Sequence, residues 1–213
     1  MHSLLEKAYR DGASPSDLTL AFAKGFQTVV RGERPAPGTV HKYIESGYRY
    51  LSGFSRFDGE VLGVEELLRF TVDGFPFVAV VDLRTEANGK LSIIDHKSRE
   101  LKPRSDRAIP KASDIELDRM LRQLYLYSEA VKQAYGRYPD ELCFNCFRNG
   151  CVIREPFDAS KHKEACDWAV QSIREIECEE DFAPRQNYFF CRWLCPVSDH
   201  CDADIAAREE RRG

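Results

Sequence analysis

Two aspartates and a lysine lie in two neighbouring apolar stretches near the middle of the chain. Asp82 follows the run 78–81, which is Val-Ala-Val-Val, and Asp95 follows the run 91–94, which is Leu-Ser-Ile-Ile. Lys97 comes two residues after Asp95. Runs this rich in β-branched residues predict two strands. Both acidic residues therefore interrupt apolar segments, where an unpaired charge is costly.

The two predicted strands are separated by Asn88-Gly89. Both of these residues tolerate positive φ, so they favour a two-residue type I′ hairpin turn. Ala87 then pairs with Lys90, and counting back along both strands places Asp82 opposite Asp95. We expect their Cβ atoms to lie about 5 Å apart, with Lys97 on the same face.

Facing carboxylates repel each other unless a cation lies between them. Their oxygen ligands suit Mg²⁺ or Mn²⁺, which accept phosphate oxygens and keep several waters. An ammonium beside them can position a metal-bound water. The arrangement therefore indicates metal-assisted hydrolysis of phosphodiesters. The alternative is a surface hairpin that carries scattered charges.

The segments Val81-Asp82-Leu83 and Ile93-Ile94-Asp95-His96-Lys97-Ser98 resemble the core of the PD-(D/E)XK nucleases. They are most similar to the RecB-like branch, whose second motif runs apolar-apolar-Asp-x-Lys-Ser/Thr. The resemblance implies an α/β, restriction-endonuclease-like core, with a mixed central sheet flanked by helices. It also implies that Asp82, Asp95 and Lys97 are the catalytic residues.

The segment that begins at Gln123 and ends at Tyr127 matches the Gln-x-x-x-Tyr signature of the same branch. A capping box at 113–116 and a C-terminal stop at Gly136 predict a helix around it. Gln123 and Tyr127 are four residues apart and share a helix face, where they could bind DNA by gripping a phosphate or stacking a base. The alternative is that the aromatic residues are part of the core.

Two further residues match the branch as ligands. His2 matches a histidine that binds metal in these nucleases, and imidazole is a reasonable third ligand beside two carboxylates. The alternative for His2 is a frayed chain terminus. Glu65, in the segment 61–66, matches an acidic residue that precedes the catalytic hairpin. It is either an accessory acid of the metal site or part of the solvated face of a strand.

The segment 182–201 is predicted to be a cysteine-rich, metal-binding tail. Cys191, Cys195 and Cys201 resemble the C-terminal cysteines of members that hold a 4Fe–4S cluster. Those members take a fourth cysteine from far upstream, whereas this chain has none before Cys143. The fourth ligand is therefore missing from the chain, or Cys178, His200 or a non-protein ligand replaces it. Zinc is the alternative metal, and ordinary thiols are the remaining alternative.

Composition is that of one soluble domain, which we take as residues 1–213. The chain is 43% hydrophobic and 31% charged, with a net charge of −4 that gives no sign of a nucleic-acid partner. No apolar stretch is long enough to span a bilayer and no export signal is apparent, so we expect a cytoplasmic protein with reduced thiols. A local basic strip is either the DNA contact or a solvated loop; it comprises Lys97, Arg99, Lys102, Arg104, Arg107 and Lys111.

We expect a Mg²⁺- or Mn²⁺-dependent deoxyribonuclease, and more specifically an exonuclease acting on DNA ends or single strands. Helicase, recombination and CRISPR-adaptation partners are all compatible with that expectation. The alternatives are a non-catalytic DNA-binding module and a zinc-stabilised interaction domain. The predicted helices cover 3–10, 16–31, 38–57 and 159–177, besides the one that carries Gln123, and further strands cover 60–72 and 141–148.

Overall fold

The computed structural model describes residues 1–29, 36–182, 187–193, 195, 197, 200 and 201. Internal contacts divide the chain into two units, Met1–Gln171 and Ser172–Gly213. Six helices and five strands follow one another in the described residues: α1 (His2–Arg10), α2 (Pro15–Val29), α3 (Pro37–Ser52), β1 (Glu60–Val72), β2 (Phe75–Ala87), β3 (Lys90–Lys97), α4 (Ala112–Tyr135), β4 (Glu141–Cys146), β5 (Cys151–Pro156), α5 (Ala159–Cys178) and α6 (Tyr188–Trp193).

The strands form one mixed sheet in the order β1-β2-β3-β4-β5. Strands β3 and β4 are parallel, and the other neighbours are antiparallel. A parallel pair needs a long crossover, and α4 supplies it. The expectation of an α/β fold with a mixed sheet and flanking helices is confirmed.

The β2–β3 hairpin has the predicted register. Asn88 and Gly89 both have positive φ, of 53° and 76°, and Ala87 pairs with Lys90. The β2–β3 ladder ends at the pair Leu83–Ile94, one position before the two aspartates. From Asp95 onward, β3 continues to pair with β4. The aspartates therefore lie where β2 and β3 separate.

Each face of the sheet has its own core. Helix α4 covers one face with Leu117, Leu121 and Leu124, which pack with Ile93 and Phe144. Tyr9 of α1 packs on the other face in a cluster with Val64, Leu83, Ile94 and Cys143. Burying a leucine contributes about 2 kcal/mol, so these contacts hold both helices on the sheet. The faces also separate Cys143 from Cys146, as the alternation of a strand predicts.

Two helix boundaries differ from the sequence-based prediction. Helix α3 ends at Ser52 instead of continuing to 57, because Gly53 follows with a non-helical conformation. Helix α4 begins at Ala112, so its capping acid is Asp114 and not the pair at 113 and 116. The Asp114 carboxylate accepts hydrogen bonds from the backbone N–H of Lys111 at 2.7 Å and of Ser105 at 2.8 Å. The predicted end of α2, residues 30 and 31, lies outside the described residues.

Within the described residues, no helix combines the length and the apolar character that crossing a membrane requires.

Candidate metal centre and active site

Three side chains from three elements converge beside the point where β2 and β3 separate. Ligand atoms of His2, Glu65 and Asp82 all lie within 4.8 Å of one another. Nδ1 of His2 is 3.6 Å from Oδ2 of Asp82. One imidazole and two carboxylates form a donor set that divalent cations such as Mn²⁺ and Mg²⁺ accept. Among the described residues, this is the one group of three or more such ligands.

Glu65 reaches this group from an unusual backbone conformation. Its neighbours Val64 and Glu66 pair with Leu83 and Val81, so Glu65 stands opposite Asp82. Its φ is +50°, in the left-handed region that disfavours residues other than glycine. Such a conformation costs roughly 1–3 kcal/mol and persists only when surrounding contacts impose it. The backbone is therefore strained at the position where a second carboxylate joins Asp82.

The carboxylate of Asp82 accepts a backbone hydrogen bond and lies near both positive and negative side chains. Its Oδ2 accepts a hydrogen bond of 2.7 Å from the backbone N–H of His96. Burial raises the pKa of Asp82, and the charge of Glu65 acts in the same direction. The bond from His96 and the charges of His2 and Lys97 oppose that rise. The carboxylate is thus partly desolvated while one oxygen is fixed in place.

Asp95 is buried next to Lys97. Its Oδ2 lies 2.8 Å from Nζ of Lys97, yet the angles are not those of a hydrogen bond, and this oxygen accepts none. Burial raises the pKa of Asp95 to about 6, with the charge of Asp82 adding to the effect and that of Lys97 opposing it. The structure gathers His2 and Asp82 with Glu65, whereas Asp95 stands outside that group and faces Lys97.

Lys97 is connected to the α4 residues that the signature singled out. Its Nζ donates to Oε1 of Gln123 at 2.7 Å, and Nε2 of Gln123 donates to the hydroxyl of Tyr127 at 2.7 Å. Burial raises the pKa of Tyr127. The spacing of four residues on α4 therefore brings an amide and a phenol to the same site as the lysine.

His96 lies behind the site in a network that the sequence did not predict. Its ring stacks on Tyr9 with 6.2 Å between centroids, and its Nδ1 is 3.0 Å from Nδ2 of Asn145. The same Nδ2 donates to the hydroxyl of Tyr50 at 2.6 Å. Burial lowers the pKa of His96 to about 3, and the charge of His2 acts in the same direction. His96 is therefore a neutral, structural side chain at neutral pH.

The predicted basic strip is only partly available to a ligand. Arg104 makes ion pairs with Asp118 at 2.8 Å and with Glu155 at 3.1 Å, which fix the loop before α4. Arg99 pairs with Glu116. Lys102, like Arg107 and Lys111, is exposed. The exposed lysines are consequently better placed than Arg104 to meet a phosphate backbone.

The second unit contains the three cysteines of the predicted tail. Cys191, Cys195 and Cys201 are partly exposed and form no disulfide. Among the residues that the structure describes, they do not belong to a group of three or more ligands close enough to bind a single ion. A cluster of several iron atoms holds its thiolates farther apart than one zinc ion does. Residues 183–186, 194, 196, 198 and 199 of the predicted tail lie outside the described residues.

Comparison with known families agrees with this fold. The family model of the PD-(D/E)XK nuclease superfamily matches residues 1–202. The chain therefore belongs to this superfamily, whose nucleases hydrolyse phosphodiester bonds and generally use divalent metals. The superfamily implies a nucleic-acid substrate.

Two examples illustrate the resemblance of the chain to solved structures. A candidate exonuclease from Eubacterium rectale is 15% identical, with 94% of this chain and 74% of that chain covered and a TM-score of 0.43. The protein SSO0001 is 19% identical, with 95% of this chain and 85% of that chain covered and a TM-score of 0.37. The search of curated proteins produced no match.

Proposed function

We propose that this chain is a Mg²⁺- or Mn²⁺-dependent deoxyribonuclease of the RecB-like branch that acts as an exonuclease on DNA ends or single strands. One observation carries the proposal. The ligand atoms of His2, Glu65 and Asp82 converge within 4.8 Å, and the buried Asp95, paired with the partly buried Lys97, lies on the adjacent strand. This combination supplies both a cation site and an ammonium beside it.

The side chains present fit a hard divalent cation. Carboxylate oxygens and one imidazole make up the donor set, and the buried Oδ2 of Asp95 lacks a hydrogen-bond donor. His2, Asp82 and Asp95 are the proposed ligands, with Glu65 as an accessory acid. A cation bound there would act as a Lewis acid on a phosphate oxygen and lower the pKa of a bound water.

The other residues have roles that follow from their positions. Lys97 orients the attacking water and stabilises the negative charge that develops on the phosphate. Gln123 holds the ammonium in place through its 2.7 Å bond, and together with Tyr127 it holds the DNA strand. Lys102 and Arg99 contact the DNA backbone, and Arg104 supports the loop that carries them. By resemblance to the family, the products carry 5′-phosphate and 3′-hydroxyl ends.

The cysteine tail has a structural role in this proposal. Cys191, Cys195 and Cys201 hold a 4Fe–4S cluster whose fourth ligand comes from elsewhere, and zinc is the alternative occupant. Quantifying iron, sulfide and zinc in protein purified without oxygen distinguishes the two. Stoichiometric iron and sulfide support the cluster, and stoichiometric zinc supports the alternative. A protein that contains neither iron nor zinc contradicts both.

The function is tested by cleavage of end-labelled single- and double-stranded DNA with Mg²⁺, Mn²⁺ or EDTA. We expect metal-dependent degradation by the wild type and a loss of at least about a hundredfold in Lys97→Ala, since charge stabilisation at the reacting phosphate is removed. The matched control is Lys90→Ala, an exposed lysine at the turn end of the same strand, which should cleave like the wild type.

Absence of cleavage by a folded wild type with every metal would contradict the proposal. Retained DNA binding in that case would favour a non-catalytic binding module. Stoichiometric zinc without DNA binding would favour an interaction domain.

A further inference from the structure

A cavity of about 240 Å³ opens between α3 and the β4–β5 hairpin, and no step of the proposed hydrolysis uses it. Its walls include Tyr50, Phe54, Phe147 and Asn145. The ring of Phe147 lies 5.9 Å from the ring of His2, measured between centroids. Phe147 therefore lines the cavity and also neighbours a residue of the candidate metal centre.

The walls of the cavity present aromatic rings that are tilted against one another. The rings of Tyr50 and Phe147 are 6.0 Å apart at 59°, and those of Tyr50 and Phe54 are 6.2 Å apart at 58°. All three rings line the cavity, so a planar guest inside it would contact aromatic side chains. Stacking on aromatic rings is how proteins hold unpaired bases without requiring a particular sequence.

The cavity also offers a hydrogen-bond donor. The hydroxyl of Tyr50 accepts a bond from Asn145, and a phenol that accepts still has its own hydrogen to donate. Among the hydrogen bonds of the described residues, Tyr50 donates none. Burial raises the pKa of Tyr50, which keeps the hydroxyl protonated. A base nitrogen or carbonyl oxygen would satisfy this donor.

Two arginines line the same cavity. The side chain of Arg49 is 75% exposed and donates to Oε1 of Glu45 at 2.7 Å. That of Arg148 is 43% exposed, lies 3.9 Å from Oε1 of Glu100, and covers the ring of Tyr43 at 5.2 Å. Both ion pairs are exposed and therefore weak, so a backbone phosphate can displace the glutamates and accept paired hydrogen bonds from the guanidinium groups.

We infer that this cavity holds the base of an unpaired nucleotide, in a DNA strand whose scissile phosphate lies beside His2 and Asp82. This inference rests on the proposed function and specifies its substrate. A base inside a duplex is paired and stacked, and it enters a pocket only after unpairing. The cavity therefore selects single-stranded DNA, or the unpaired end of a duplex, over intact double strands.

The inference is tested with single-stranded oligonucleotides that carry one abasic nucleotide, moved stepwise along the strand. Ca²⁺ replaces Mg²⁺ so that binding is measured apart from cleavage. We expect one position where loss of the base weakens binding about tenfold in the wild type, because its stacking is lost. Phe147→Leu should weaken binding of the intact strand by a similar factor and have no further effect when that position is abasic.

Two other variants separate a contact with the base from a general disturbance. Tyr50→Phe keeps the ring and removes the donor, so it should retain the abasic profile with a smaller loss of affinity. Trp168 is an exposed aromatic residue that contacts Arg122 and does not line the cavity. The Trp168→Leu variant should therefore bind DNA like the wild type. Thermal unfolding of each variant verifies that it is folded.

The outcomes distinguish the two proposals. A wild type that cleaves DNA but tolerates an abasic nucleotide at every position overturns the cavity inference and leaves the nuclease proposal standing. Additive effects of Phe147→Leu and the abasic position overturn it as well. Position-specific binding that depends on Phe147, in a protein that cleaves no DNA, supports the cavity and contradicts the nuclease.

Discussion

Asp95 and Lys97 lie side by side on β3, with 2.8 Å between Oδ2 and Nζ, but the contact lacks hydrogen-bond geometry. At that oxygen the Lys97 ammonium attracts the carboxylate, while Asp82 repels it. A buried acid in this state lowers the stability of the metal-free fold when it ionises. A divalent cation would remove that penalty, so stability and metal binding should be coupled here.

Asp95→Asn should make the metal-free protein more stable at neutral pH. Burial raises the pKa of Asp95 from its ordinary value of 3.8 to about 6 in the folded protein, so the folded state keeps its proton longer as pH rises. The free energy of unfolding of the wild type therefore falls by about 1.4 kcal/mol per pH unit between pH 3.8 and about 6 and then levels off, for a total of roughly 3 kcal/mol. Urea unfolding in EDTA at several pH values measures the difference.

The extra stability of Asp95→Asn should vanish below pH 3.8, where the wild-type carboxyl is protonated and carries no charge. Mn²⁺ should raise the melting temperature of the wild type more than that of Asp95→Asn. An advantage that stayed constant from acidic to neutral pH would mean that ionisation of Asp95 is not its cause.

His96→Gln should reduce the loss of stability that the protein shows as pH falls. Burial lowers the pKa of His96 from its ordinary value of 6.5 to about 3 in the folded protein, so the unfolded state takes up the proton first as pH falls. The wild type therefore loses about 1.4 kcal/mol per pH unit below 6.5, and the variant lacks this loss. At neutral pH the variant should be the less stable of the two, because glutamine cannot replace the ring that stacks on Tyr9.

Unfolding midpoints of wild type and His96→Gln between acidic and neutral pH test this expectation. His41→Gln is the control, since His41 is an exposed histidine on α3. Parallel profiles for His96→Gln and the wild type would show that His96 is protonated in the folded protein, contrary to the expectation.

The hairpin and its register could be predicted from the sequence because the information is local. Asn88-Gly89 fixes the turn, and the turn fixes which residues face each other. The conformation of Glu65 could not be predicted, because its positive φ is imposed by contacts with β2 and not by any neighbour that favours it. Tyr50 and Asn145 meet across 95 positions of sequence, a pairing that no spacing signals. The capping role of Asp114 likewise depends on Ser105, nine residues away in a loop.

Gln123→Leu should reduce cleavage more than Tyr127→Phe does. Leucine removes both the acceptor for Lys97 and the donor to Tyr127, whereas phenylalanine removes only the second bond. A hydrogen bond to a charged group contributes about 1.5–3 kcal/mol, so a loss of roughly tenfold to a hundredfold is expected for Gln123→Leu. Single-turnover cleavage of single-stranded DNA measures the rates.

Tyr125→Phe is the matched control for these two variants, because Tyr125 lies on the same helix but packs in the core under α4. It should cleave like the wild type. Equal rates for all three variants would show that the bonds from Lys97 through Gln123 to Tyr127 do not position the reacting groups.

Glu65→Gly should raise the stability of the metal-free protein and weaken its binding of Mn²⁺. Glycine adopts a φ of +50° without strain, and the change also removes a carboxylate that repels Asp82. The relief of strain is about 1 kcal/mol, although the freedom that glycine adds to the unfolded chain offsets part of it.

Glu60→Gly is the control on the same strand, where φ is not positive and the change should destabilise the protein. Calorimetric titration with Mn²⁺ and thermal unfolding in EDTA measure the two effects. Unchanged Mn²⁺ affinity would place Glu65 outside the metal site, and unchanged or lower stability would show that the left-handed conformation is not strained.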